Sequence, residues 1–228
     1  MKVLFFTRKN DELSNKCIKH LVELGFKVET ILSSKRGEKL PDDLEWITYD
    51  YIICYRSYFI IPKYLLDKTK YYNINFHPGC PNYPGSGGVN LTLFNEEEEF
   101  GVTAHLMNEK VDSGDIIEYR SFKVFETDNV KTLLERTHNY LYCLFIELTT
   151  QLRQEGNEFI KNKIKQNKIQ WSEGSTKISD IDKLQIIEKD VTEIELTKRI
   201  RSFNHPNFPL EVHIHNHRFV YKEKILPS

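Results

Sequence analysis

The chain has 228 residues, of which 39% are hydrophobic and 29% charged, so it is long enough for one globular domain or one domain with a small appendage. Its 32 lysines and arginines balance 33 aspartates and glutamates, which excludes the strong basic excess of a non-specific nucleic-acid binder. The cysteines show no paired spacing, and no apolar run is long enough for a signal peptide or a membrane span. These features favour a soluble cytoplasmic protein without a nucleic-acid or membrane partner.

The first third of the chain predicts a sheet of parallel strands. A continuous apolar run such as KVLFFT is typical of a strand buried on both faces. The residues after it form a helical stripe that Asn10 or Asp11 can cap, and a second apolar run follows. A β-α-β order favours parallel strands with a right-handed crossover. Four strands are predicted in this part of the chain, at residues 2–7, 26–32, 50–55 and 72–77.

The rest of the chain predicts two more strands, a long helix and a small appendage. The strands lie at residues 101–107 and 115–124, on either side of the turn EKVDSG. Asp128 is expected to cap a long helix that has the strongest helical periodicity in the chain. The lysine-rich stretch after it predicts a solvated linker, followed by a helix near 192–203 and a β-hairpin around HNH. We therefore expect an α/β protein with a Rossmann-like, mainly parallel sheet in residues 1–156 and a helix-and-hairpin appendage in residues 157–228.

The stretch NINFHPGCPNYPGSGGVN, residues 73–90, is the strongest candidate for a reactive site. Ligands of parallel sheets bind at the carboxyl ends of the strands, and Asn75 and His77 lie at such an end. Because side chains alternate along a strand, both point to the same face, about 6–7 Å apart. An amide donor beside an imidazole suits the stabilisation of an oxyanion, and Asp112 in the following turn can set the charge of the imidazole. The alternative is a structural hydrogen-bonding role for Asn75 and His77.

Other kinds of site fit the sequence less well. His77 and Cys80 would supply two metal ligands where a tetrahedral site needs three or four. His213, His215 and His217 surround a hairpin turn, where only some of them could converge, so we expect no metal. The glycine-rich GSGG lacks the Lys-Ser/Thr of a phosphate-binding loop. Its glycines can instead let a substrate approach the backbone closely.

Several segments together resemble a known family. NFHPG, YPGSGG and GVTAHLMNEKVDSGDII are similar to motifs of the 10-formyltetrahydrofolate-dependent formyltransferases. The resemblance implies that Asn75, His77 and Asp112 are catalytic and that 10-formyltetrahydrofolate is the co-substrate. It further implies that Asn75 donates to the oxyanion and that Asp112 keeps His77 charged as an imidazolium. The folate is then expected beside Arg56, Ser57, Tyr58, Phe59, Ile60, Val111 and Asp115.

Within this family, the chain most resembles the N-formyltransferases that act on nucleotide-linked amino sugars. That similarity implies a dTDP-linked 4-amino-4,6-dideoxyglucose, or its 3-amino isomer, destined for surface polysaccharide such as O-antigen. Purine-pathway members carry a Gly/Ser-rich phosphate loop after the first strand, whereas the corresponding stretch here, TRKNDELSNK, has no glycine. The usual binding site of a monophosphate is therefore missing. The sugar substrate is expected to contact Tyr83, Gly85, Gly87 and Asn90.

Several alternatives stay open at this point. The acceptor could be a purine-pathway ribonucleotide or a UDP-linked amino sugar, or the chain could be a scaffold that binds folate or a nucleotide sugar without chemistry. The predicted C-terminal hairpin exposes a strand edge that could pair with a second chain in a homodimer. We expect the appendage to serve substrate binding or dimerisation, because it holds no evident acid–base group for the reaction.

Overall fold

The structure is a computed structural model, and it describes residues 1–41, 44, 48–215 and 217–222. Within these residues, a six-stranded sheet forms the centre of the fold. Its strands are β1 (Lys2–Arg8), β2 (Lys27–Ser33), β3 (Tyr49–Tyr55), β4 (Thr69–His77), β5 (Glu99–Leu106) and β6 (Ile116–Lys123). Across the sheet the order is β2-β1-β3-β4-β5-β6. The first four of these are parallel, whereas β5 is antiparallel to both β4 and β6, so the predicted α/β fold with a mainly parallel sheet is confirmed.

Helices cover both faces of this sheet, which explains why β1 is an almost continuous apolar run. On one face, Phe5 and Phe76 pack against Phe145 of the long helix. On the other face, Leu4 and Phe6 share a buried cluster with Leu65. The helices are α1 (Glu12–Glu23), α2 (Lys63–Leu66), α3 (Gly88–Phe94) and α4 (Val130–Glu155).

The predicted caps of the two main helices have different outcomes. Asp11 is the N-cap of α1, as expected, and its carboxylate accepts from the Ser14 amide at 2.8 Å. The expectation that Asp128 caps α4 is wrong, because Asn129 is the N-cap and accepts from the amides of the first helical turn. Asp128 is nearly buried and forms an ion pair with Arg136 at 2.6 Å. The Asp128 carboxylate, one residue before the N-cap, therefore contacts α4 through the side chain of Arg136.

The C-terminal part is more ordered than the sequence predicts. The stretch expected to be a solvated linker is mostly helix α5 (Asn157–Gln166), which buries Phe159 and Ile160 in the core of the main sheet. The linker prediction is wrong because two apolar residues are enough to dock an otherwise charged helix. The predicted hairpin is confirmed, and a third short strand pairs with it. The last residues of the second predicted hairpin strand, 223–226, lie outside the described part of the chain. The remaining elements are α6 (Ile178–Gln185), β7 (Ile186–Ile187), α7 (Glu193–Phe203), β8 (Glu211–Ile214) and β9 (His217–Val220).

Candidate active site

Asn75, His77 and Asp112 lie together at the carboxyl end of β4. His77 Nδ1 is 3.3 Å from Asp112 Oδ2, and Asn75 Nδ2 is 3.5 Å from Asp112 Oδ1. His105 joins them, with its Nε2 at 3.0 Å from Asn75 Nδ2 and 3.3 Å from Asp112 Oδ1. The three predicted residues therefore lie close together, and the imidazoles of His77 and His105 flank the buried carboxylate of Asp112.

The strand register and one loop build this cluster. Asn75 is the direct partner of His105 in the antiparallel ladder between β4 and β5, and opposite residues of a ladder share a face. Asp112 comes from the loop between β5 and β6, where its backbone has a φ of 45°. The Gly85 amide donates to Asp112 Oδ2 at 2.9 Å and so ties this loop to the one that follows β4. Sequence reasoning missed His105 because GVTAHLM is typical of an ordinary strand, and only the register brings it beside Asn75.

Burial and neighbouring groups lower the pKa values of both Asp112 and His77. Burial raises the pKa of Asp112, but its electrostatic interactions with His77 and His105 and the hydrogen bond from the Gly85 amide outweigh burial, so its pKa lies below 3.8. Burial lowers the pKa of His77 below 6.5, and the opposing effect of Asp112 does not compensate. His77 is therefore neutral at pH 7 in the free protein. This corrects the expected imidazolium, because desolvation of the ring exceeds the attraction of the carboxylate.

The hydrogen-bond pattern defines which nitrogens are reactive. An ionised Asp112 can only accept, so His77 Nδ1 carries a hydrogen and His77 Nε2 carries the lone pair. His77 Nε2 is buried and has no hydrogen-bond partner among the described residues. His105 Nδ1 lies 2.8 Å from the Leu106 carbonyl, to which it donates, so its Nε2 accepts from Asn75. The arrangement thus provides a neutral imidazole with a free lone pair, which is a base.

Trp171, from the C-terminal part, covers this cluster. Its ring centre is 4.9 Å from that of His105 and 5.8 Å from that of His77, in edge-to-face geometry in both cases. Its indole N–H donates to the Gly114 carbonyl at 2.8 Å. Residues 167–177, which we call the strap, hold Trp171 in place and run beside the loop after β4. Sequence reasoning missed this residue because it assigned residues 157–228 to an appendage that serves substrate binding or dimerisation rather than chemistry.

The glycines predicted to line the sugar site lie against the C-terminal part of the chain. Gly85 has a φ of 94°, and a Cβ there would lie 2.4 Å from the Thr176 carbonyl in the strap. Gly87 has a φ of 78°, and a Cβ there would lie 2.3 Å from the side chain of Ile181. Both positions need glycine for backbone conformation and for close packing against protein. Protein atoms therefore occupy the Cβ side of both glycines, and contact of their backbone with a sugar stays a prediction.

The other two predicted sugar contacts are also engaged with protein atoms. Tyr83 donates to Glu97 at 2.8 Å and accepts from Asn95 at the same distance. Asn90 is nearly buried and donates from Nδ2 to the Ser202 carbonyl at 2.7 Å, which ties α3 to α7. Sugar contact by Tyr83 and Asn90 stays a prediction, and in the free protein both side chains have a structural role.

The residues predicted to line the folate site form the turn after β3. Ser57 lies 3.3 Å from Ser33, and its hydroxyl accepts from the Phe59 amide at 3.2 Å. Phe59 packs edge-on against Phe6 of the core. The side chain of Ile60 is 74% exposed, so a large apolar residue at the carboxyl edge of the sheet is free to contact a ligand.

A cavity of about 360 Å³ adjoins the Asp112 loop on the side of the strap. Asp115, one of the predicted folate contacts, lines it together with Trp171 and residues 113–116. Val111 is exposed on the same loop. The cavity therefore opens next to the loop that carries the buried carboxylate.

Two further properties concern the described residues as a whole. No group of three or more His, Cys, Asp or Glu side chains in this part of the chain is placed to hold a metal ion. Among the same residues, no helix has the length and apolarity needed to cross a membrane.

The fold has counterparts in known proteins. Residues 4–149 match the family model described as formyl transferase, so the chain belongs to the formyl transferase family. It is also similar to the methionyl-tRNA formyltransferase of Ehrlichia ruminantium (strain Gardel), with 30% identity over 148 residues. That alignment covers 61% of this chain and 48% of the relative. The chain thus matches about half the length of such relatives.

Solved structures of sugar N-formyltransferases share the whole fold. The sugar N-formyltransferase from Shewanella sp FDAARGOS_354 superposes with a TM-score of 0.81 at 20% identity, covering 100% of this chain and 99% of that one. An N-formyltransferase from Helicobacter canadensis, in complex with folinic acid and dTDP-3-aminofucose, gives a TM-score of 0.72 at 16% identity over 95% of this chain and 85% of that one. At these identities the likeness concerns the fold, including the C-terminal helices and hairpin.

Proposed function

We propose that this protein transfers the formyl group of 10-formyltetrahydrofolate to the amino group of a nucleotide-linked amino sugar. The observation that carries the proposal is the pair formed by His77 and Asp112, 3.3 Å apart and buried within the family region. A buried base with a free nitrogen, held by an ionised carboxylate, suits a reaction in which an amine loses a proton while an oxyanion forms.

The proposed chemistry uses each member of the cluster once. The substrate amine attacks the formyl carbon, and the carbonyl oxygen becomes an oxyanion that accepts a hydrogen bond from Asn75 Nδ2. The amide N–H aimed at Asp112 is the available donor, because its 3.5 Å contact is the weakest in the cluster. His77 Nε2 takes the proton from the attacking nitrogen and passes it to the departing N10 of tetrahydrofolate as the C–N bond breaks. Asp112 stabilises the imidazolium that forms between these two transfers.

His105 and Trp171 support the reacting groups in this scheme. His105 accepts from Asn75 and so holds the amide in the plane that aims its second N–H at the oxyanion. Trp171 packs on the His77 ring and limits water at the site, which strengthens the interaction of Asp112 with a charged imidazole. The folate is proposed to lie between the turn at Ser57–Ile60 and the loop at Val111 and Asp115.

The proposed acceptor is a dTDP-linked 4-amino-4,6-dideoxyglucose or its 3-amino isomer, used in the synthesis of surface polysaccharide. The similarity of fold to the sugar enzymes supports this class, since the superposition on the Shewanella enzyme covers the whole chain with a TM-score of 0.81, against 0.66 for a methionyl-tRNA formyltransferase. A tRNA acceptor is disfavoured by the formal charge of −1, because a polyanionic substrate requires a basic surface. We also propose that β9 pairs two copies, since it lies at the edge of its sheet and Phe219 is 52% exposed.

The decisive experiment offers several acceptors to the same enzyme. Purified protein and 10-formyltetrahydrofolate are incubated with dTDP- and UDP-linked 3- and 4-amino sugars, phosphoribosyl glycinamide, and charged initiator tRNA. Mass spectrometry then identifies which acceptor gains a formyl group, while absorbance follows tetrahydrofolate release. Formylation of a dTDP-amino sugar by the wild type, and its loss in His77→Ala, is the expected result. Tight folate binding with no transfer to any amine would instead identify a binding scaffold.

A further inference from the structure

The reactive nitrogen of the proposed base is closed to bulk solvent in the free protein. His77 Nε2 is buried and has no hydrogen-bond partner among the described residues. The Gly79 backbone lies against it, because a Cβ at Gly79 would be 2.3 Å from Nε2. The Trp171 ring packs on the same imidazole, with ring centres 5.8 Å apart. A neutral base with a free lone pair is therefore enclosed by protein atoms.

The two groups that enclose His77 differ in how firmly they are held. The Gly79 carbonyl accepts from the Thr103 hydroxyl at 2.7 Å, and Pro78 restricts the backbone between His77 and Gly79. Trp171 belongs to the strap, of which residues 167–175 lie in no helix or strand. The loop after β4 is therefore the fixed side of the enclosure, and the strap is the side that can be displaced.

The strap holds one large side chain against the cluster. Within residues 168–175, all of which the structure describes, every residue except Trp171 is exposed. The Ser172 amide donates to the Pro81 carbonyl at 2.9 Å and so ties the strap to the loop after β4 at the residue next to the indole. Because these residues bury little else, their main contribution is to keep the indole over the two imidazoles.

A base that water could reach at this position would act on water as well as on an amine. Water that loses a proton to His77 Nε2 can form a bond from its oxygen to the formyl carbon of the donor. The C–N10 bond then breaks, N10 takes up the proton from His77, and the products are formate and tetrahydrofolate. Enclosed active sites suppress side reactions of this kind by excluding water.

We propose that Trp171 determines the specificity of the transfer by keeping water from His77 until an amine substrate displaces the strap. A nucleotide-linked sugar can gain binding energy elsewhere on the protein and use it to move the strap, whereas water cannot. It follows that the protein has a latent activity, hydrolysis of 10-formyltetrahydrofolate, which the strap suppresses. The proposal rests on the formyl donor and the base of the proposed function, but not on its acceptor.

The test uses the full chain and 10-formyltetrahydrofolate, with no amine added. Absorbance follows tetrahydrofolate release, and mass spectrometry measures the formate that forms in ¹⁸O-labelled water. Because a positioned base contributes about 10²- to 10⁴-fold, we expect Trp171→Ala to raise hydrolysis by at least about 10-fold over the wild type. The formate should carry one ¹⁸O atom, since its other oxygen comes from the formyl group. Trp171→Phe keeps a ring over the imidazole and should stay near the wild type.

Two further variants connect the hydrolysis to His77 and to the strap. Trp171→Ala combined with His77→Ala should hydrolyse the donor no faster than His77→Ala alone, because the base that acts on water is gone. Asn167→Ala removes the bond from Asn167 Nδ2 to the Ile116 carbonyl, 3.1 Å long, and loosens the start of the strap without altering the indole. It should raise hydrolysis by a smaller factor than Trp171→Ala, and it keeps the test decisive if Trp171→Ala does not fold.

A matched control for lost stability lies at the amino ends of the strands. Phe26 is buried just before β2 and packs edge-to-face on Tyr51, with ring centres 6.4 Å apart. Phe26→Ala therefore removes a ring contact of the same geometry far from His77. Denaturant unfolding should show that Phe26→Ala and Trp171→Ala both lose stability, while hydrolysis rises only in Trp171→Ala.

Failure of this proposal is distinguishable from failure of the proposed acceptor, because the assay contains no amine. Folded Trp171→Ala protein, or folded Asn167→Ala protein where the first does not fold, that hydrolyses the donor no faster than the wild type would overturn the proposal. A rise that persists without His77, or that is as large in Phe26→Ala, would overturn it as well. Hydrolysis in the strap variants without formylation of any amino sugar would overturn the acceptor alone.

Discussion

Trp171→Ala is the substitution that tests most directly how the C-terminal part serves the active site. The indole makes edge-to-face contacts with the two imidazoles and donates to Gly114. Each aromatic contact contributes about 0.5–1.5 kcal/mol and the hydrogen bond about 1 kcal/mol, so the loss in folding stability is about 2–4 kcal/mol. Trp171→Phe keeps ring packing and removes only the donor, and it should cost about 1 kcal/mol.

The same substitution should change the titration of His77. Its pKa is lowered chiefly by burial, and removal of the indole admits water to the ring, so the pKa should rise toward 6.5 in Trp171→Ala. The acid limb of the pH profile of kcat/KM would move to higher pH by the same amount. Trp171→Phe should leave this limb near its wild-type position, because the ring stays covered.

Three measurements check this reasoning. Denaturant unfolding gives the stability of each variant, NMR titration gives the pKa of His77, and initial rates at several pH values give the acid limb. A Trp171→Ala protein with wild-type stability and an unchanged pKa of His77 would show that the strap does not cover the site in solution. Lower stability with an unchanged pKa would leave Trp171 with a packing role and refute its effect on the imidazole.

The remaining predictions concern the cluster itself and one glycine. Asn75→Ala, His77→Ala and Asp112→Asn should each lower kcat by about 10²- to 10⁴-fold, as for other oxyanion donors and acid–base groups. The effects of double variants should be far from additive. A His77→Ala enzyme with near-normal turnover would contradict the assignment. Because the pKa of His77 is lowered below 6.5 in the folded protein, its contribution to stability is complete above pH 6.5 and is lost as the pH drops below 6.5. The slope of stability against pH should therefore be smaller in His77→Gln, and the remainder comes from the other histidines whose pKa is lowered by burial. Gly87→Val, which forces a branched Cβ into a φ of 78° and against Ile181, should lower the melting temperature while kcat/KM of the folded fraction stays intact. A raised KM for the sugar at unchanged melting temperature would restore the view that this loop lines the sugar site.

Local pattern was sufficient to predict the sheet and the proximity of Asn75, His77 and Asp112. The apolar run of β1 is buried on both faces as expected, since helices lie on each side. Period-two alternation placed Asn75 and His77 on one face, and the turn between two strands brought Asp112 to them. These inferences succeeded because each depends on neighbours in sequence or on adjacent strand ends.

The features that were missed depend on contacts between distant residues. His105 contributes through its position opposite Asn75, and Trp171 lies 66 residues beyond His105 in a segment without an apolar pattern of its own. Helix α5 is mostly charged, and only its docking on the main core through Phe159 and Ile160 makes it part of the fold. The expected charge of His77 was wrong for a similar reason, since the sequence shows a neighbouring carboxylate but not the depth of burial.

The position of the strap has a consequence for biosynthesis. Asn75, His77 and Asp112 leave the ribosome long before Trp171 and Thr176, and the bond from Ser86 to the Thr176 carbonyl at 2.8 Å cannot form until then. A nascent chain ending near residue 156 would hold the reacting groups without the indole over them. We therefore expect activity to arise late in synthesis. A single protease cut in the exposed stretch at residues 172–175 should likewise lower the activity of a mature enzyme whose central sheet is undamaged.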